Sequence, residues 1–308
     1  MSHIIHKDAL SPAPKKAQAL AHELTKGNNA VLGVLFYGSG LWKTIEQDTV
    51  LDFYLLVDNF KSYGAPLSHR FWGSLLPPNV YYAEKQMNGE ALRCKYAVMT
   101  LRQFTRAARG FAVAPSIFAR FAQPCRLIAP QNKQTEQDIL RALEDANRTF
   151  HRRTLPLLKN HRITAEEIWQ TGLSETYKSE LRSEKKDRNA SIYEAAPESF
   201  KERTALYSQK QPHTLSAAQE DFYLAHVPFW KKLLTTINTP IRRYGGKLVT
   251  LLRLVKAPLT FDGAVDYIVW KIERHSGQKL EPTTFQRNHP LIAGWPLLFK
   301  VLKNKIAR

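Results

Sequence analysis

The stretch GVLFYGSGLWKTIEQDTVLDFYLLVDN, residues 33 to 59, constrains this chain more than any other. Val34, Leu35 and Phe36 make a strand of the buried kind that runs into Gly38-Ser39-Gly40. Twelve residues separate Ser39 from Asp52, which opens a second apolar strand. A Gly-Ser-Gly between strands can be no more than a tight turn, because glycine takes positive φ cheaply. With a carboxylate opening the next strand, the turn has a second use. Its backbone N–H groups can approach phosphates while the acid holds the accompanying cation.

That order is the one nucleotidyltransferases of the polymerase-beta type require, and further landmarks narrow the resemblance. They are Phe36-Tyr37-Gly38-Ser39-Gly40, Leu51-Asp52-Phe53, Val57-Asp58-Asn59, Val80-Tyr81-Tyr82 and Lys95-Tyr96-Ala97-Val98. Arg120 with Gln123-Pro124 follows, then Gly172-Leu173-Ser174 with Tyr177 and Arg182. As an ordered set over roughly residues 30 to 190, the chain resembles the mitochondrial-type phosphatidate cytidylyltransferases, the translocator assembly and maintenance family. Beyond that span it matches the family only in character.

The resemblance implies a reaction in which CTP and phosphatidic acid give CDP-diacylglycerol and pyrophosphate. It implies Mg²⁺ as cofactor, with Asp52 as catalytic residue and metal ligand. Gly38, Ser39 and Gly40 would cradle the β- and γ-phosphates, and Lys95 would meet a phosphate. Arg120 would reach a triphosphate or lipid phosphate oxygen, against the alternative of a surface helix arginine. Tyr82 would stack on cytosine or simply pack. Tyr177 and Arg182 would close over the site or lie on a solvated helix face. One position departs from the wider superfamily: two residues after Asp52, where a second carboxylate is usual, stands Tyr54. Asp48, Asp58 and Glu90 are the alternatives. Asp58 lies six residues on, about 20 Å along an extended strand.

Lys95 sits in an apolar strand (CKYAVM), where an uncompensated ammonium is expensive. The ten histidines include no helical pair at metal-ligand spacing, and no Gly-x-Ser-x-Gly nucleophile motif occurs. Cys94 and Cys125, the only cysteines, exclude a disulfide framework and a four-cysteine zinc site. Both read as inert core thiols in a reducing compartment.

The 308 residues carry a net charge of +18, and it is uneven. Residues 240–308 hold 13 Lys and Arg against 4 Asp and Glu, which implies a polyanionic partner. No run of 18 apolar residues occurs, so no bilayer-spanning helix is expected. The N-terminus lacks an apolar signal core, no arginine precedes Arg70 and Asp8 comes early, which argues against a transit peptide. The expected place is the cytoplasmic face of a bacterial inner membrane, as a peripheral protein.

The expected architecture is α+β. A nucleotidyltransferase-like mixed sheet with helices occupies 1–132, and a mainly helical domain closes the cleft over 133–240. A basic amphipathic membrane-associating segment spans 241–308. Strands are expected near 31–37, 51–58, 79–84 and 91–100, the last two joined at Asn88-Gly89. A helix is expected near 216–236 carrying Phe222 and Tyr223, and short helices over 247–257 and 264–274. In residues 290–308, Trp295, Leu298, Phe299 and Leu302 share a face with Lys300, Lys303, Lys305 and Arg308 outside it, the composition of an interfacial helix. Docking of that helix on the protein's own core is the alternative. The expected partners are CTP, phosphatidic acid and an anionic membrane surface, and no nucleic acid. The competing function is nucleotidyl transfer to RNA or a small acceptor, with the basic end as a nucleic-acid surface. A non-catalytic nucleotide-binding or scaffolding protein is the third, with Tyr54 as its best argument.

Overall fold

A computed structural model of the chain describes residues 3–46, 49–87, 89–179, 188–219 and 221–260. Its centre is a five-stranded mixed sheet built from β1 (Val31–Tyr37), β2 (Val50–Val57), β3 (Asn79–Met87), β4 (Glu90–Thr100) and β5 (Arg126–Ile128). The spatial order is β3-β4-β2-β1-β5, with β2 and β4 parallel and the other neighbours antiparallel. The β3–β4 hairpin turns at Gly89, which takes φ +79°, a value glycine alone adopts freely.

Alternation along the strands makes two cores. Leu35, Tyr54, Leu56, Ala97 and Met99 point to one face. Val34, Phe36, Phe53, Leu55 and Val98 point to the other. The second face is covered by α2 (Lys15–Thr25), which buries Ala17, Leu20 and Ala21; α1 (Ile4–Leu10) puts Ile4 and Ile5 into the first core. Helix α3 (Leu67–Leu75) precedes β3. The first face is roofed by α4 (Leu101–Ala108), α5 (Ser116–Phe121) and α6 (Lys133–Thr154). Their starts are written locally: Thr100 and Gln103 form a capping box for α4, and the Asn132 side chain accepts from the Thr135 amide to start α6.

The chain continues through β6 (Arg162–Thr164), α7 (Ala165–Lys178), α8 (Arg188–Glu194) and α9 (Pro197–Lys210). It ends in β7 (Leu215–Ala217), β8 (Phe222–Ala225) and α10 (Phe229–Thr260). The helices share the first sheet's core, which takes in Ile4, Phe121, Phe150, Trp169 and Phe200 alike. An ion pair locks the two parts further: Arg203, 2 % exposed, donates to Asp8 Oδ2 at 2.6 Å and to the Ala122 carbonyl at 3.0 Å. The expected boundary at residue 132 thus crosses one continuous core.

Two expectations about the later chain need correction. The helix expected over 216–236 is instead the β7–β8 hairpin followed by the start of α10, and β6 pairs with β8 to complete a three-stranded sheet. Tyr223 and Ala225 point inward and Leu224 outward, a period of two that was too short to register as a strand. The short helix expected over 247–257 belongs to the 32-residue α10, which runs through Pro240. The segments 264–274 and 290–308 lie outside the described residues.

His151 of α6 shows how tightly this core is closed. Its ring is fully buried, stacks on Tyr207 at 4.7 Å, and places Nδ1 2.9 Å from the Asn147 carbonyl and Nε2 3.2 Å from Thr204 Oγ1. Burial pulls its pKa down to about 4. The unfolded imidazole protonates near 6.5, so stability is complete above that pH and falls as pH drops towards 4, by about 3 kcal/mol in all. Urea unfolding of the His151→Gln variant should show a flatter decline between pH 6.5 and 4; an unchanged slope would rule out this imidazole as the source.

Candidate functional site

Register brings the predicted residues together. Tyr37 is opposite Asp52, Asp52 opposite Lys95, and Lys95 opposite Tyr82, so the four form one row across β1, β2, β4 and β3. Directly opposed residues share a face, here the face of the first core. One row inward stand Leu35, Tyr54, Ala97 and Val80, all apolar or aromatic and packed in or against that core. One row outward, Arg93 and Glu84 are opposed and joined by two hydrogen bonds of 3.0 and 3.3 Å. The face therefore changes from apolar to charged at Asp52 and Lys95, both half-buried.

The glycine turn comes down on this row. Gly38 takes φ +89° and ψ −162°, a region open essentially to glycine alone. A Cβ there would lie 3.3 Å from Asp52 Oδ2. Ser39–Leu41 form a single 3₁₀ turn closed by the Leu41 amide on the Gly38 carbonyl at 3.1 Å and the Lys43 amide on the Ser39 carbonyl at 2.9 Å. Gly40 is buried, and a Cβ there would fall 2.9 Å from the Phe36 ring. Both glycines are required for different reasons: one for a dihedral, the other for contact. Ser39 between them is exposed.

Arg120 of α5 reaches the same face. Its Nη1 donates to the Tyr54 hydroxyl at 3.2 Å, and its guanidinium lies 5.0 Å from the Tyr37 ring centroid and 5.9 Å from that of Tyr54. Tyr54 in turn meets Phe121 edge-on at 5.0 Å. The side chain two residues after Asp52 is thus a core aromatic whose hydroxyl accepts from Arg120. Sequence reasoning gave Tyr54 no role, because the partner lies 66 positions away. Arg120 is no surface helix arginine.

Tyr82 ends the row buried, and its phenol is raised well above the ordinary tyrosine value by burial first and the nearby Glu84 carboxylate next. It cannot serve as a base near neutrality. Tyr177 packs against the first core, and Arg182 lies outside the described residues. Burial pushes Cys94 and Cys125 up to about 12, which leaves neither a nucleophile.

The structure also sorts the alternative carboxylates. Asp58, exposed at the far end of β2, accepts from Asn59 at 2.8 Å, and Glu90 pairs with Lys16 at 2.5 Å beside the hairpin turn. Asp48 lies outside the described residues. Among the described residues, three metal-capable groups converge only at His3, His6 and Glu144, where the two imidazoles lie 2.7 and 2.8 Å from one carboxylate oxygen. The histidines are spaced by three, a pair the sequence reading passed over because Glu144 comes so much later. Imidazole donors do not suit Mg²⁺, which prefers oxygen. Asp52 does suit it, since Mg²⁺ is commonly held by one or two carboxylates with substrate phosphates completing its shell.

No protein-family model matches the chain, and no curated protein is significantly similar to it.

Gly38→Ala tests the turn. A side chain here faces a forbidden dihedral and the Asp52 carboxylate together, so the variant should lose about 1–3 kcal/mol of stability in chemical denaturation. A variant as stable as the parent would mean that the turn relaxes freely and does not fix Asp52.

Proposed function

We propose that the chain is a Mg²⁺-dependent CTP:phosphatidate cytidylyltransferase working at a membrane surface. The observation that carries this is the meeting of the Gly38-Ser39-Gly40 turn with the Asp52–Lys95 row, where Gly38 sits against the carboxylate. Phosphoryl transfer needs little covalent help from a protein; positioning and charge neutralisation supply most of the rate. The turn would receive the β- and γ-phosphates of CTP. Lys95 and Arg120 would hold phosphate oxygens, Arg120 with its plane set by Tyr37 and Tyr54. An oxygen of the phosphatidate phosphate attacks the α-phosphorus, the bond to the β-phosphate oxygen breaks, and pyrophosphate leaves. Mg²⁺ bound at Asp52 would neutralise charge on that leaving group.

The membrane part of the proposal draws on α10. Phe229, Leu233, Ile237, Ile241, Tyr244, Leu248, Leu251 and Val255 recur every three or four residues, and each is exposed among the described residues. That spacing makes one apolar stripe along the helix. No helix among the described residues is long and apolar enough to cross a membrane. An apolar stripe of this length turned to solvent suits insertion into a lipid interface.

Purified protein with Mg²⁺, CTP and phosphatidic acid should yield CDP-diacylglycerol, and Asp52→Asn should lower turnover by about 100-fold or more with the circular dichroism spectrum kept. Absence of product from folded parent protein would end the proposal, and full activity of Asp52→Asn would end the metal role. Flotation is the second test. The parent should rise with phosphatidate-containing vesicles, and Ile237→Ser with Leu248→Ser should sharply reduce this without unfolding. Salt-sensitive binding to RNA with no flotation would favour the nucleic-acid acceptor instead.

A further inference from the structure

A cavity of about 960 Å³ opens between α6, α7, α10 and the loop after α4. It shares no residue with the Asp52 row. Six arginines stand in its wall, and the balancing of their charges is incomplete. Arg109 and Arg148 both pair with Asp145, and Arg243 grips both Glu175 oxygens at 2.6 Å. Three more guanidiniums find no carboxylate among the described residues. Arg152 donates to the Arg109 carbonyl at 3.3 Å and Arg153 to the Gly110 carbonyl at 3.2 Å, and Arg242 completes the group from α10. The Arg153 Nε is buried with no hydrogen-bond partner among the described residues.

Such an arrangement is strained electrostatically. Burial, followed by the charges of Arg242 and Arg152, brings Arg153 down to about 10, and burial with Arg152 lowers Arg242 as well. Guanidiniums brought together without counter-charge repel one another and raise the local potential, which attracts a multiply charged anion. Their planar forks match the oxygens of phosphate two at a time. Thr235 and Thr239 of α10 add hydroxyls to the same wall. Phe111, Val113 and Trp230 also line it and are exposed, so apolar side chains border the arginines.

We propose that this cavity is a binding site for a phosphate group carrying two negative charges, gripped by Arg152, Arg153 and Arg242. The proposal does not depend on cytidylyl transfer. The phosphate could arrive on a monoester lipid headgroup, with α10 at the bilayer, or as free phosphate.

Two binding arms, both on the full chain with EDTA present, separate these sources. The soluble arm titrates inorganic phosphate calorimetrically. The lipid arm compares vesicles of phosphatidylcholine containing phosphatidate with vesicles matched in charge by phosphatidylglycerol, so that only the monoester-dependent increment counts. The test variant is Arg153→Gln with Arg242→Gln; the control is Arg141→Gln, an exposed α6 arginine that pairs with Asp138. Removing two or more charge-assisted hydrogen bonds should weaken binding by about tenfold or more. Loss in the vesicle arm alone identifies a lipid headgroup, loss in the phosphate arm alone a soluble ligand, and loss in both a site open to either. Relief of repulsion should leave the unliganded double variant melting no lower than the parent. If it does not fold, Arg152→Gln, at an exposed position, gives the same readout. The proposal is overturned if the parent binds neither probe, or if the variants bind both as well as Arg141→Gln does.

Discussion

A strand can change the character of one face only every second residue, and this site depends on a single such step. Between Asp52 and Tyr54 the same face of β2 passes from half-buried carboxylate to closed aromatic core. The step works because the neighbouring strands change at the same level, Tyr37 to Leu35 on one side and Lys95 to Ala97 on the other. A slip of one residue in the β2–β4 pairing would turn Leu51 and Phe53 to the charged row and drive Asp52 into the core beneath α2, where Leu51, Phe53 and Cys94 now pack. The eight-pair parallel ladder between β2 and β4 prevents that slip. Apolar burial thus fixes the position of the charges.

The aromatic layer beside the row has the complementary task. Tyr37, Tyr54 and Phe121 lie in mutual contact at centroid distances of 5.0 to 5.6 Å. They hold Arg120 by ring faces and one hydroxyl. A cation over aromatic rings is attracted by the ring faces, so the layer helps to set the place of the guanidinium.

Much of this was legible in the sequence, and the misses share a cause. The β1 and β2 runs, the Gly89 turn and the helices from Lys133 to Lys210 are long or strongly punctuated, so local pattern suffices. Gly38, Ser39 and Asp52 could be read as a group because the turn and the strand are near in sequence. Arg120 and Lys95 could be named, but their convergence depends on register, which no local pattern states. The three-residue strands β6 and β7 have no room to show a period, and α1 is only seven residues long. The arginine cavity was invisible for a different reason: Arg152, Arg153 and Arg242 read as ordinary charges until α6 and α10 face one cavity.

Helix α10 changes what the basic end of the chain can mean. The expectation was of a basic amphipathic membrane-associating segment over 241–308. Instead the helix turns its polar residues towards the protein and its apolar stripe away. Arg243 pairs with Glu175, Arg253 donates to the Pro77 carbonyl, and Lys256 donates to the carbonyls of Leu76 and Pro78 at 2.8 and 3.0 Å. Burial, followed by the charge of Arg253, brings Lys256 down to about 7, so that contact is desolvated. Close approach is possible because Gly246 faces Ser179; a Cβ at Gly246 would meet the Ser179 carbonyl at 2.7 Å. These cations are occupied with holding the helix and cannot also be counted towards a lipid surface. Within α10 an attraction to a bilayer, as proposed above, would come mainly from the exposed stripe, with Lys231 and Lys247 as exposed basic residues. Such a helix would bind lipid first by hydrophobic area and only second by charge.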